Sequence, residues 1–179
     1  ASFLSTGSPT WLYLSDRLIQ FPMGLFGVAI ALVALPDITE LYIKKDSKNF
    51  NKTFLRGSLS TLLLGLATMI FYLLFSAEII SLLFKRGEFQ EFDVAMTSAS
   101  LVAYAYALPF LLNSKFFNSI FFATSKTKFV LLLGIVSLLI NLLLNYLFIL
   151  VFGMGHVGLA LATTCAALIV WLLSIIFLI

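Results

Sequence analysis

The stretch "YLSDRLIQFPMGLFGVAIALVALP", residues 13–36, is apolar enough to read as a membrane-crossing helix, yet it carries an acid and a base side by side, Asp16 and Arg17. A helix rises about 1.5 Å per residue and needs about 20 apolar residues to cross roughly 30 Å of hydrocarbon. Begun at Pro9, the segment meets that length. Arg17 then lies eight residues inside it, roughly 12 Å along the axis. A charge at that depth costs about 2.5–3.5 kcal/mol even on insertion-based scales, so it is retained beside protein, water or a counter-ion.

The spacing says which face carries it. Tyr13, Arg17, Gln20, Gly24, Gly27 and Ala31 follow steps of four and three and share one side of a helix, polar at one end and small at the other. Such a stripe faces protein or water, while Leu18, Phe21, Leu25 and Phe26 fill much of the remaining circumference. Asp16 offsets the cost of Arg17 by pairing with it or with a cation on another helix. Pro22 withholds the amide that would bond the Leu18 carbonyl, which predicts a kink just beneath the charges. Two readings stay open for the pair: an outer-interface anchor in a bent helix, or a cationic group lining a polar cavity and able to hold a phosphate.

The whole chain repeats the character of this segment. Of its 179 residues 61% are hydrophobic and 11% charged, and the mean hydropathy is +1.10, far from the roughly 25% charged residues of soluble domains. The fold class expected is all-α, a polytopic transmembrane bundle of five spans at about 9–35, 57–84, 94–123, 129–152 and 157–179, forming a single membrane domain over residues 1–179. Ser8 is the expected cap of the first span, with Pro9 in its first turn, and "ASFLSTG" reads as the tail of an earlier helix. The absence of an initiator methionine and the end of the chain inside an apolar run lead us to expect a fragment of a longer protein without a signal peptide.

The loops set the orientation. Lys44, Lys45, Lys48, Lys52 and Arg56 precede the second span and Lys126 and Lys128 precede the fourth, seven basic residues against Lys85 and Arg86 in the other connections. The basic set belongs in the cytoplasm, so the first span enters from outside. Scattered among short loops, these residues do not form a nucleic-acid patch. The lone Cys165 and lone His156 leave no disulfide framework, metal-ligating cluster or catalytic set such as His-Glu-x-x-His, so an intramembrane enzyme is not expected.

The segment "TWLYLSDRLIQFPMGLFGVAIALVALP" at 10–36 resembles the signature of the MurJ/MviN family, lipid II flippases of the multidrug/oligosaccharidyl-lipid/polysaccharide exporter superfamily. "AEIISLLFKRGEF" at 77–89, "FFATSKTK" at 121–128, "NLLLNYLFI" at 141–149 and "GHVGLALATTCAA" at 155–167 follow in family order. The resemblance implies an intact protein of about fourteen helices in two lobes, with this chain covering roughly helices eight to twelve of the second lobe. It implies an essential Asp-Arg pair, matched by Asp16 and Arg17, that engages the pyrophosphate of lipid II, the undecaprenyl-pyrophosphate-linked peptidoglycan precursor. Residence in the bacterial inner membrane, contact with membrane lipids and alternating access follow from the same likeness. The chain departs from the family at Thr124, Lys126 and Val130, where Arg, Asp and Pro are usual, and Gln20 stands where an acid often occurs.

Four residues are therefore expected at the substrate: Asp16, Arg17, Gln20 and Lys115. Lys115, deep in the third span on a face with Asn118 and Phe122, either snorkels along its stem or enters the cavity. Asn141, Asn145 and Thr163 bring oxygens together on the last two spans; they read as interhelical hydrogen bonds or, alternatively, as a Na⁺ site, the one cofactor-like ion expected. His156 reads as a turn residue beside Gly155 and Gly158. The alternatives to lipid II flipping are export of another polyprenyl-linked oligosaccharide or a drug by a relative of the same superfamily, or a membrane scaffold that transports nothing.

Overall fold

The computed structural model describes residues 7–178, and within them every side chain but those of Val28 and Ala31. The expected helical bundle is present. Its elements are α1 (Ser8–Pro22), a π-helical turn (Met23–Gly27), α2 (Val28–Ile43), α3 (Ser47–Phe84), α4 (Glu91–Ala105), α5 (Leu108–Ala123), α6 (Thr127–Tyr146), a second π-helical turn (Leu147–Val151) and α7 (Gly155–Leu178). Ser47–Phe84, Thr127–Val151 and Gly155–Leu178 are each long and apolar enough to cross a membrane. The α1–α2 and α4–α5 pairs reach that length as segments bent by 45°, which makes up to five spans among the described residues.

The helices outrun the expected apolar windows on the basic side. Pro36 does not end the first helix, which continues to Ile43, and α3 begins at Ser47, ten residues before the apolar run at Gly57. Both basic-side turns close by the same device. Asp46 N–H reaches the Leu41 carbonyl at 3.1 Å and Lys126 N–H reaches that of Phe121 at 2.8 Å, with Lys45 (φ 54°) and Ser125 (φ 58°) in the left-handed region between. This is the six-to-one closure of a helix C-terminus, here without its usual glycine. Asp46 also caps α3, accepting from Asn49 N–H at 3.1 Å.

At the other end Ser8 is not the cap. Gly7 takes that place with φ 97°, and Ser8 is the first, buried residue of α1. The suggested tail of an earlier helix, residues 1–6, and the terminal Ile179 lie outside the described residues.

Two apolar clusters hold the bundle. Ile19, Tyr72, Ile80, Val94, Leu101 and Leu108 join α1, α3, α4 and α5. Ile38, Phe116, Phe117, Ile120, Phe121 and Leu133 join α2, α5 and α6, with Phe54 of α3 and Trp171 of α7 packed against them. α5 runs through both, and its close approach to α3 depends on Gly65: a Cβ there would lie 2.5 Å from the Pro109 Cα. Polar groups fix the same packing. Asn113, fully buried on α5, accepts from Trp171 Nε1 of α7 at 2.7 Å and donates to Thr61 Oγ1 of α3 at 2.6 Å. In hydrocarbon such groups need internal partners, and here one amide ties three helices. By contrast α6 buries only Leu133 among its described side chains.

The kink expected just beneath the charges falls farther along: Pro22 is followed by a π-helical turn, and the 45° bend lies between Ser8–Gly27 and Leu32–Ile43. Met23–Gly27 begins one residue after Pro22, and the Leu18 carbonyl that Pro22 cannot serve accepts the Tyr72 hydroxyl of α3 at 2.7 Å. A buried carbonyl must find a partner, so the proline and the tyrosine are one device.

Candidate functional site

α1 has two sides. Trp11, Ser15, Ile19 and Pro22 are buried, a spacing that keeps them on one face. Ser15 Oγ donates to the Thr97 carbonyl of α4 at 2.8 Å, and Trp11 Nε1 donates to Asp93 Oδ1 at 2.9 Å. With this face locked on α4, Tyr13, Arg17, Gln20 and Gly24 are left exposed on the bundle surface, and Asp16 half-buried. The polar stripe is thus presented by the packing of the opposite face. Ala31, its last member, belongs to the side chains not described.

Within the stripe the charges do not meet directly. Gln20 stands between them: its Oε1 accepts from Arg17 Nη1 at 3.2 Å, and its Nε2 donates to Asp16 Oδ2. The ion pairs among the described residues are Lys44–Glu40 and Lys85–Glu91, so the expected Asp16–Arg17 pairing is replaced by an amide bridge. Spacing explains the difference. Neighbours in sequence diverge by about 100° around a helix, whereas positions three and four apart lie side by side. Arg17 Cζ also sits 4.9 Å from the Tyr13 ring centroid. Its other N–H groups carry no hydrogen bond to the described residues.

Lys115 joins this face from α5. It is exposed, and its stem crosses Gly27: a Cβ at Gly27 would meet Lys115 Cγ at 3.4 Å. Gly24 has nothing within 4 Å of its own Cβ position. Arg17 and Lys115 therefore mark two positions on one surface, with Gly24 exposed between them and Gly27 buried beneath Lys115. Gly27 lies ten residues beyond Arg17, a rise of roughly 15 Å along an ideal helix.

The α6–α7 cluster is also assembled. Asn145 Nδ2 donates to Asn141 Oδ1 at 2.8 Å, Asn141 Nδ2 to Thr163 Oγ1 at 3.1 Å, and Thr163 to the Leu159 carbonyl at 3.2 Å. Asn145 Oδ1 is buried without a hydrogen-bond partner in the structure.

His156 is not merely a turn residue. It opens α7 with its ring 4.9 Å from that of Trp11 and its Nε2 3.2 Å from the Met96 carbonyl. The beginnings of α1, α4 and α7 are thereby gathered at one end of the bundle. A long-range contact of this kind has no local sequence signature.

Comparison with known proteins places these features in a family. The family model described as lipid II flippase MurJ matches residues 1–179. The chain is similar to the probable lipid II flippase MurJ of Vibrio cholerae, 38% identical over 167 residues covering 93% of this chain and 31% of that protein. It is likewise similar to that of Haemophilus influenzae, 35% identical over 173 residues, 93% of this chain and 33% of the relative. The chain thus spans about a third of the length of these relatives. A solved structure of lipid II flippase MurJ in an inward closed conformation superposes with a TM-score of 0.87 at 30% identity, over 99% of this chain and 37% of that one. A transporter of the MOP superfamily from Pyrococcus furiosus shares the fold with a TM-score of 0.69 at 18% identity, over 96% of this chain and 39% of that one.

Proposed function

Because the chain belongs to the MurJ family of lipid II flippases, we propose that the intact protein moves lipid II across the bacterial inner membrane by alternating access and that this segment supplies part of the headgroup-binding wall. The activity is transport, with no covalent step. The observation that carries the reading is the Arg17 guanidinium on the exposed stripe of α1, with one N–H engaged by Gln20 and the others without a hydrogen bond among the described residues. A guanidinium stays charged in low dielectric and offers a planar fork of donors matched to two phosphate oxygens. Asp16 acts on it through the Gln20 amide, so the cation is oriented without being neutralised by direct pairing. Lys115, farther along the same surface, supplies a second cationic position for the headgroup, and Gly24 keeps the floor between them low.

In the full-length protein, Arg17→Ala is expected to abolish growth of cells depleted of their own lipid II flippase while its membrane abundance stays normal. Arg17→Lys should rescue only partly, since an ammonium keeps the charge and loses the fork. Wild-type growth with Arg17→Ala would reject the role given to Arg17.

Na⁺ at Asn141, Asn145 and Thr163 is the coupling ion we propose. Support comes from the buried Asn145 Oδ1, without a hydrogen-bond partner among the described residues, on an amide whose Nδ2 donates to Asn141 Oδ1, the Asn141 amide donating in turn to Thr163 Oγ1. Hard cations take six or so oxygen ligands, so residues elsewhere in the intact protein or waters complete the shell. Sodium chloride should raise the thermal stability of the full-length protein above that in choline chloride, and Asn145→Leu should remove the difference. An equal shift in both salts would reject the site.

A further inference from the structure

We propose that Tyr13 is a positioning residue for Arg17: its ring carries the guanidinium and turns the free N–H edge toward the passing pyrophosphate. This rests on the headgroup-binding reading of Arg17. The two residues are one helical turn apart on α1, where side chains stack one above the other, and Arg17 Cζ lies 4.9 Å from the Tyr13 ring centroid, well within the distance at which a cation is attracted to an aromatic face.

A long arginine without restraint samples many rotamers, and immobilising it on binding opposes association. Two contacts hold this one in advance. Gln20 Oε1 takes an Nη1 proton at 3.2 Å, and the guanidinium carbon lies over the ring of Tyr13. With the group held over the ring and one donor occupied, the unengaged N–H groups are the part left for an anion. Tyr13 is 56% exposed and appears in neither apolar cluster. Its ring is therefore not spent on holding the bundle together. No hydrogen bond of its hydroxyl is needed, so the aromatic face alone carries the role.

The test uses full-length protein in detergent micelles and, as probe, a lipid II analogue with a shortened polyprenyl chain. Tyr13→Leu and Tyr13→Gln are expected to weaken binding about fivefold, and Tyr13→Phe to stay within about twofold of the parent. In an Arg17→Ala background, Tyr13→Leu should cause no further loss, because its effect runs through the guanidinium. A membrane-interface tyrosine would show the same loss in both backgrounds, and that outcome overturns the proposal. So does unchanged affinity in both Tyr13→Leu and Tyr13→Gln when Arg17→Ala binds weakly. If Arg17→Ala itself binds as tightly as the parent, the headgroup-binding reading fails, and this one with it.

Discussion

The Tyr72 hydroxyl donates to the Leu18 carbonyl that Pro22 leaves without a helical partner, so Tyr72→Phe should expose the consequence of that proline. The substitution keeps the ring in its buried site and removes one donor. An interhelical hydrogen bond in a membrane averages about 0.6 kcal/mol and reaches about 1.7, and a buried group left without a partner costs about 1–3 kcal/mol. Pro22 has no N–H to offer in compensation, so the cost belongs at the upper end of the first range, about 1.5 kcal/mol. That is roughly a tenfold change in the unfolding equilibrium. Pro22→Ala returns the missing N–H to the helix. In that background Tyr72→Phe should cost less than about 0.5 kcal/mol, a coupling that a double-mutant cycle isolates. The assay is reversible denaturant unfolding of the full-length protein in mixed micelles. An equal cost in both backgrounds, or none in either, would refute the pairing of proline and tyrosine as one device.

Gly65→Ala forces a Cβ to 2.5 Å from the Pro109 backbone and should lower stability by about 2 kcal/mol through overpacking. Gly134→Ala, whose Cβ meets open space, should not destabilise, and thermal unfolding of both variants makes the comparison. The Asn49 side chain and backbone N–H hold the Asp46 carboxyl below its ordinary 3.8. Its cap is therefore fully present above that value and lost as pH falls through the lower folded-state value. The protection of the Asn49 amide, taken relative to its intrinsic exchange rate at each pH, should fall on acidification below about pH 4, and in Asp46→Asn, which keeps an acceptor, that pH dependence should disappear. For the orientation, Ser47→Cys in a Cys165→Ala background should resist an impermeant thiol reagent applied from the periplasm and react once the membrane is opened. Ready labelling from outside intact cells would invert the topology.

The readable parts of this protein were those with a local cause. Apolar runs such as Leu62–Phe84 announce their helices because lipid tolerates little else, and the step of Tyr13, Arg17, Gln20 and Gly24 names a helix face without reference to any other helix. Pro22 announces an interruption of the helical bonding because its missing N–H leaves one carbonyl unserved, although the 45° bend itself falls beyond Gly27. Pro36 shows the limit of such reading: it sits inside α2, and the buried Ile38 just beyond it packs into the second apolar cluster, so packing carries the helix past a residue that local rules treat as its end.

What the sequence by itself determined is the solvent, the approximate spans and the polar face of α1, since each follows from hydropathy and a 3.6-residue period. Only the tertiary structure decided who partners whom. Asp16 reaches Gln20 and not Arg17, Asn113 gathers Thr61 and Trp171 from two other helices, and Trp11 meets both Asp93 and His156. The hydrogen bonds Trp11–Asp93, Asn113–Thr61 and Trp171–Asn113 span 82, 52 and 58 residues along the chain. The physical reason is that a polar group in hydrocarbon must be satisfied by whatever donor or acceptor the packed bundle brings near, and periodicity along one helix does not encode the rotation of its neighbours.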